Sequence, residues 1–186
     1  MEKAKNNPWQ IAVIGLKLLL ICAIVAGVVA LVYTVTADAY AKNMEAEKRT
    51  AIEGIFHAGV NPVDVQGEVG SEFPVYRVEE NGAVLGYCVE ITTAGYGGDI
   101  QMMVGYNRDG SILGIQIVSH SETPGLGDKI TGDAFRSQYV GQSGQLALGD
   151  HIDAISGATY SSRYVTEGVN KASAVVAKCI AKEATE

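Results

Sequence analysis

At 186 residues the chain is long enough for one domain of ordinary size. Its net charge of −7 comes without a basic stripe, which excludes nucleic acid as a partner, because neutralising phosphates needs clustered Lys and Arg. The three cysteines, Cys22, Cys88 and Cys179, are scattered and form no C-x-x-C or Cys/His cluster, so no metal or iron–sulfur ligand set is expected. Cys88 and Cys179 read as buried thiols and not as a disulfide framework.

The first element is a membrane segment. Leu18 to Ala37 carries no charge, and twenty helical residues span roughly 30 Å, the thickness of a hydrocarbon core. Ile11 to Leu16 extends it, with Lys17 able to snorkel to an interface. Trp9 and Tyr33 stand where interfacial aromatics are expected. The rival is a cleaved signal peptide, for which Ala37-Asp38-Ala39 resembles a processing site. A signal h-region is usually only about 7–15 residues, so the longer run favours a retained anchor. Lys3 and Lys5 favour a cytoplasmic N-terminus, while Lys42, Lys48 and Arg49 oppose it, so charge alone leaves the orientation open.

Beyond the anchor, Tyr40, Met44, Ala51, Ile52, Ile55 and Phe56 recur at helical intervals, which predicts a helix over Asp38 to Ala58, stopped by Gly59 to Pro62. Residues 59–71 carry no readable signal. Strands follow at Pro74–Glu79 and Ala83–Thr93, on either side of Asn81-Gly82, a strong hairpin signal. Two more, Ile100–Tyr106 and Ile112–Ser119, flank the turn Asn107 to Gly110. In the last, Leu113, Ile115 and Ile117 are expected to share one buried face. Asp133–Val140 suggests a short helix. Ser161–Ala181 suggests a longer one, with Val165, Val169, Ala172, Val176 and Ile180 as its stripe against the sheet. The expected class is α+β: one N-terminal transmembrane helix, then an antiparallel sheet packed by helices.

Two segments carry the chemistry. Asp153-Ala154-Ile155-Ser156-Gly157-Ala158-Thr159 reads D-x-x-S-G-A-T just before the last helix. Alone it could be a small polar turn that caps a helix. His120-Ser121-Glu122-Thr123-Pro124-Gly125-Leu126-Gly127-Asp128-Lys129 is a turn-forming loop whose glycines allow close backbone approach. Gly95-Tyr96-Gly97-Gly98 is neither G-x-G-x-x-G nor a Walker loop; it reads as a strand-to-strand turn or as a border of the site.

Together the two segments resemble the covalent-FMN domain family, and within it the G subunits of Rnf electron-transport complexes. The C subunits of sodium-pumping NADH:quinone oxidoreductases are the nearest cousins. The resemblance implies FMN joined through its phosphate to Thr159, with Asp153 serving the attachment step. Ser156, Gly157, Ala158 and Ser161 would line the cofactor from the motif side. His120, Glu122, Thr123, Pro124, Gly125, Leu126 and Gly127 would do so from the loop side, where Leu126 offers an apolar cover. His120 and Glu122 have a second reading, as groups that merely satisfy loop backbone. A phosphate on Thr159 would meet the free N–H groups and positive dipole end of the helix behind it, with charge or hydrogen bonds from Ser161, Ser162 and Arg163.

The resemblance also implies a short cytoplasmic tail at 1–10, an anchor at 11–37, a helical connector at 38–72, and a covalent-FMN-binding domain at 73–186 outside the cytoplasm. The expected function is electron relay between reduced ferredoxin and NAD, coupled to sodium or proton transport. The expected partners are the other membrane and cluster-bearing subunits, a flavin transferase that attaches FMN, and the lipid bilayer. The C component of a sodium-pumping NADH:quinone oxidoreductase, an FMN-binding membrane sensor and an anchored binding module without cofactor are the alternatives.

Overall fold

The computed structural model describes residues 8–184. Residues 1–7, with Lys3 and Lys5, and residues 185–186 lie outside the described residues. Helix α1 runs from Pro8 to Ile55, and the chain forms two compact units, Met1–Glu45 and Ala46–Glu186. In the first, Ile11–Ala37 is a 27-residue apolar helical stretch with its side chains exposed. It would measure about 40 Å, more than a hydrocarbon core needs, and fits a single-pass membrane anchor. Thr34 and Thr36 turn their hydroxyls onto the carbonyls of Leu31 and Val32, at 2.8 and 2.7 Å. That satisfies them inside an apolar environment.

The second unit is built on a five-stranded antiparallel sheet in sequential order: β1 Asn61–Asp64, β2 Val75–Glu80, β3 Ala83–Thr93, β4 Ile100–Asn107 and β5 Ile112–His120. The expected β2–β3 hairpin turns on Asn81 and Gly82, with φ of 51° and 81°; a two-residue turn that matches strand twist needs both positive. Strand β1 lies in the stretch that carries no sequence signal. It pairs only with β2, at the edge of the sheet, where Pro62 can lack an N–H without breaking a ladder on its far side. The short helix α2, Gln66–Val69, follows it.

The expected stripe on β5 is corrected. Tyr106 pairs with Ile112, and Gly105 with Gly114, so Leu113 is an extra residue opposite no partner. This bulge resets the alternation, and Ile112, Ile115 and Ile117 face the main core while Leu113 does not.

That core lies between the sheet and helix α4, Thr159–Glu183. Val165, Val169, Ala172 and Val176 are buried as expected, and Ile180 packs at the margin. The segment between sheet and α4 contributes a 3-10 turn at Gly127–Thr131, the one-turn helix α3 at Asp133–Arg136 and a second 3-10 turn at Ser137–Tyr139. Polar clasps hold α4 at three levels. The Tyr139 hydroxyl meets the Thr166 hydroxyl at 2.8 Å, and the Tyr106 hydroxyl donates to the Val169 carbonyl at 3.0 Å. The Asn170 amide accepts from the Leu146 N–H and donates to its carbonyl, at 2.8 and 2.9 Å. A functional group at the start of α4 is therefore carried on a fixed element.

The last turns of α1 cover a second, smaller core. Ala51 and Ile52 pack with Val60, Val78, Cys88 and Met103, flanked by Ile55 and Phe56. Beside it the buried Glu90 receives Lys48 Nζ on one oxygen at 2.8 Å and the Gln101 amide on the other at 2.6 Å. Burial, then the neighbouring Glu90, pushes the Tyr76 phenol up to about 12. Cys88 and Cys179 belong to different cores and are free thiols. Burial raises both pKa values, which keeps them protonated and unreactive.

Candidate functional site

The D-x-x-S-G-A-T segment reaches α4 through a turn closed by Ala158 N–H to the Ile155 carbonyl at 2.9 Å. Gly157 has φ 80°, and a Cβ there would come within 3.2 Å of Leu126 Cδ2. Glycine is favoured there by the left-handed backbone, and a side chain would also push Leu126 aside by a few tenths of an ångström. Ser162 fixes the turn from inside: its hydroxyl donates to the Ala158 carbonyl and accepts the Ile155 N–H, both at 3.0 Å. Upstream, the backbone of Asp153 is bracketed by the Gln138 side chain, with its N–H donating at 2.7 Å.

The motif hydroxyls divide sharply. Ser161 and Ser162 are buried and hydrogen-bonded. Thr159, the first residue of α4, is exposed, and its hydroxyl makes no protein hydrogen bond. The N-cap is Ala158, which provides no side-chain cap. The first N–H groups of a 25-residue helix therefore stay open to an anion beside Thr159.

Thr159 opens onto a cleft of about 270 Å³. One wall is the start of α4, Gly157 to Ser161; the other is the loop, through Glu122, Thr123, Leu126 and Gly127; Tyr96 closes the end. On its far side Thr159 borders a second cleft, of about 450 Å³, with Gln145, Arg163, Glu167 and Asn170.

Glu122 joins the three segments. It is 6% exposed. Its Oε1 accepts the N–H groups of Tyr96 and Gly97 at 2.7 and 3.3 Å, and its Oε2 accepts the Ser161 hydroxyl at 2.8 Å. A Cβ on Gly95 would stand 2.1 Å from Oε1, and one on Gly127 2.3 Å from Oε2. Both glycines are thus spacers around a buried carboxylate, whose charge is tolerable only because it is hydrogen-bonded.

The cleft gathers eight of the residues singled out in the sequence: Glu122, Thr123, Leu126 and Gly127 from the loop, and Gly157, Ala158, Thr159 and Ser161 from the motif. His120 stands outside this lining and accepts the Glu122 N–H on Nδ1 at 3.2 Å. Pro124 and Gly125 form the exposed tip of the loop, with Gly125 at φ 79°. Ser156 and Asp153 are exposed and also lie outside the lining. The lining adds Tyr160 and also Tyr96, whose segment reads in the sequence as a strand-to-strand turn or as a border of the site. The bond from Glu122 to the Tyr96 amide spans 26 residues and leaves no signal in sequence.

The FMN-binding domain family matches residues 95–174, a span that holds all three segments of the cleft. The chain is 34% identical to the G subunit of the Na+-translocating ferredoxin:NAD+ oxidoreductase complex of Acetobacterium woodii, over 87% of this chain and 90% of that protein. It is 36% identical to the G subunit of the ion-translocating oxidoreductase complex of Methanosarcina acetivorans, over 90% of this chain and 95% of that one. In fold it is similar to the crystal structure of the C subunit of Na+-translocating NADH-quinone reductase from Parabacteroides distasonis, with a TM-score of 0.50 and 23% identity over 63% of this chain and 67% of that one.

Proposed function

The chain belongs to the family of G subunits of ion-translocating oxidoreductase complexes, the Rnf type, and from that premise we propose that it carries FMN covalently on Thr159 and relays electrons within such a complex. The observation that carries this reading is the Thr159 hydroxyl, exposed and unengaged at an uncapped helix start beside an apolar cleft. The donor set suits the group. Open N–H groups and the dipole of α4 favour the remaining phosphate charge, and Arg163, one turn along the same face, adds a cation. Leu126 and the backbone around Gly127 and Gly157 can cover a flat ring. Bound FMN supplies a centre able to pass electrons one or two at a time.

In this reading residues 11–37 anchor the chain in the cell membrane, residues 1–10 stay cytoplasmic, 38–72 connect, and 73–186 carry the flavin on the opposite side. A flavin transferase attaches the FMN, with Asp153 serving that step from its exposed turn. The relay connects ferredoxin and NAD chemistry, the substrates named for the Acetobacterium relative, through other subunits. The chain has no dinucleotide fingerprint and no Cys/His cluster for either half-reaction.

The relay reading is tested with the purified, FMN-loaded chain. It should be reduced by dithionite but show no saturable NADH turnover; rapid turnover of NADH by the isolated chain would refute the relay. Orientation is tested separately. Protease added to intact spheroplasts should degrade the flavin domain, and protection until lysis would invert the assignment.

A further inference from the structure

We propose that Tyr96 and Tyr160 form an aromatic wall against which the isoalloxazine ring of the Thr159-linked flavin lies, and that Glu122 sets the spacing of the two rings. This rests on the reading of Thr159 as the attachment residue. After Ala37, the large apolar side chains left exposed among the described residues are Tyr96, Leu126, Val140 and Tyr160, and three of these four line the same cleft. Tyr96 is 74% exposed and Tyr160 57%, whereas Tyr87, Tyr106 and Tyr139 are buried. Apolar surface gathered in one place and left open marks a binding site.

The two rings come from different elements, yet they stand together, with centroids 6.2 Å apart and planes inclined by 33°. Glu122 is the reason. One carboxylate oxygen holds the amide of Tyr96 itself, and the other holds Ser161, the residue after Tyr160. Tyr160 also carries the Arg163 guanidinium, 5.6 Å from the ring centroid, which restrains the ring by cation–π attraction. Tyr160 adjoins Thr159 in the chain, so a group tethered to Thr159 meets this ring first and Tyr96 beyond it. The second cleft beside Thr159 mixes Gln145, Glu167 and Asn170 with Leu146, Ala147 and Leu148, and its lining has no aromatic side chain on which a flat ring could stack.

A tyrosine stacked on a flavin quenches its fluorescence, and an electron-rich ring favours the electron-poor oxidised flavin over the reduced one. The full-length chain is therefore co-expressed with a flavin transferase as wild type, Tyr96→Leu, Tyr160→Leu and the double variant. Intact mass gives the FMN load, and emission and reduction potential report on stacking. Both tyrosines are exposed, so the variants should fold and load as the wild type does. Each substitution should lower the ratio of stacked to unstacked flavin by roughly two- to tenfold, the weight of one aromatic pair, seen as brighter emission and a higher potential. Gln145→Ala, in the second cleft, should change neither. Full load with unchanged emission and potential in the double variant would overturn the wall alone, as would a response confined to Gln145→Ala. A wild-type chain without FMN mass on Thr159 would bring down the attachment reading as well.

Discussion

Thr159→Ala is expected to take the covalent flavin load from complete to nil while leaving stability within about 0.5 kcal/mol of wild type. Loss follows because no other motif hydroxyl can replace it. Ser161 is committed to Glu122, and Ser162 is buried while holding both Ala158 and Ile155. Ser156 is exposed but three residues away, outside the cleft lining and away from the open N–H groups of α4. Stability is spared because the Thr159 hydroxyl bonds to nothing in the protein and alanine suits a helix better than threonine. Thr159→Ser keeps a hydroxyl at the same place and should retain load. The readouts are intact mass, in-gel flavin fluorescence after denaturation, and a melting curve. Covalent flavin persisting in Thr159→Ala would move the attachment elsewhere.

Glu122→Ala should be the most damaging change at the site that leaves Thr159 in place. It strands the N–H groups of Tyr96 and Gly97 and the Ser161 hydroxyl, all three of which now converge on one carboxylate. An unpaired buried donor costs about 1–3 kcal/mol, which applies in full to Ser161 and in part to the half-buried amides of Tyr96 and Gly97 that water can reach, so a net loss of about 2–4 kcal/mol is expected. Glu122→Gln should recover most of it. The amide oxygen can accept from Tyr96, and the amide nitrogen can donate to Ser161 once that hydroxyl turns. Urea unfolding gives the magnitude. Hydrogen exchange gives the location, since the Tyr96 and Gly97 amides should lose protection in Glu122→Ala and keep it in Glu122→Gln. Equal loss in both variants would mean that the charge, and not the hydrogen-bond geometry, holds the three segments together.

Local chemistry made much of the fold legible. Asn81-Gly82 and the Asp109-Gly110 turn announce two hairpins, and the 3.6-residue stripe from Val165 to Val176 announces α4. The apolar run before Ala37 announces a helix long enough to span a membrane. What escaped depends on pairing between distant residues. β1 has four residues, one of them proline, and becomes a strand only because β2 lies beside it. The Leu113 bulge is invisible until β4 sets the register. At the site, glycine and hydroxyl positions in the motif and loop could be read directly. The Tyr96 turn could be read as a border of the site, but not how it is held, because its amide is placed by a side chain from a loop two strands away.

The second core bears on where the chain can be cut. Its apolar cover is the end of α1: Ala51 and Ile52, with Ile55 and Phe56 beside them. Lys48, in the same turns, neutralises the buried Glu90. A cut just past the bilayer, after Ala37, would preserve all of these groups. A cut at the first obvious strand, before Val75, would bare Val78, Cys88 and Met103 and leave Glu90 without its counter-charge. The sheet would then present a greasy face and a buried acid to solvent, a recipe for aggregation in a protein whose candidate cleft lies elsewhere and is intact. For a water-soluble flavodomain, the stretch that reads as a mere tether is therefore part of what must be kept.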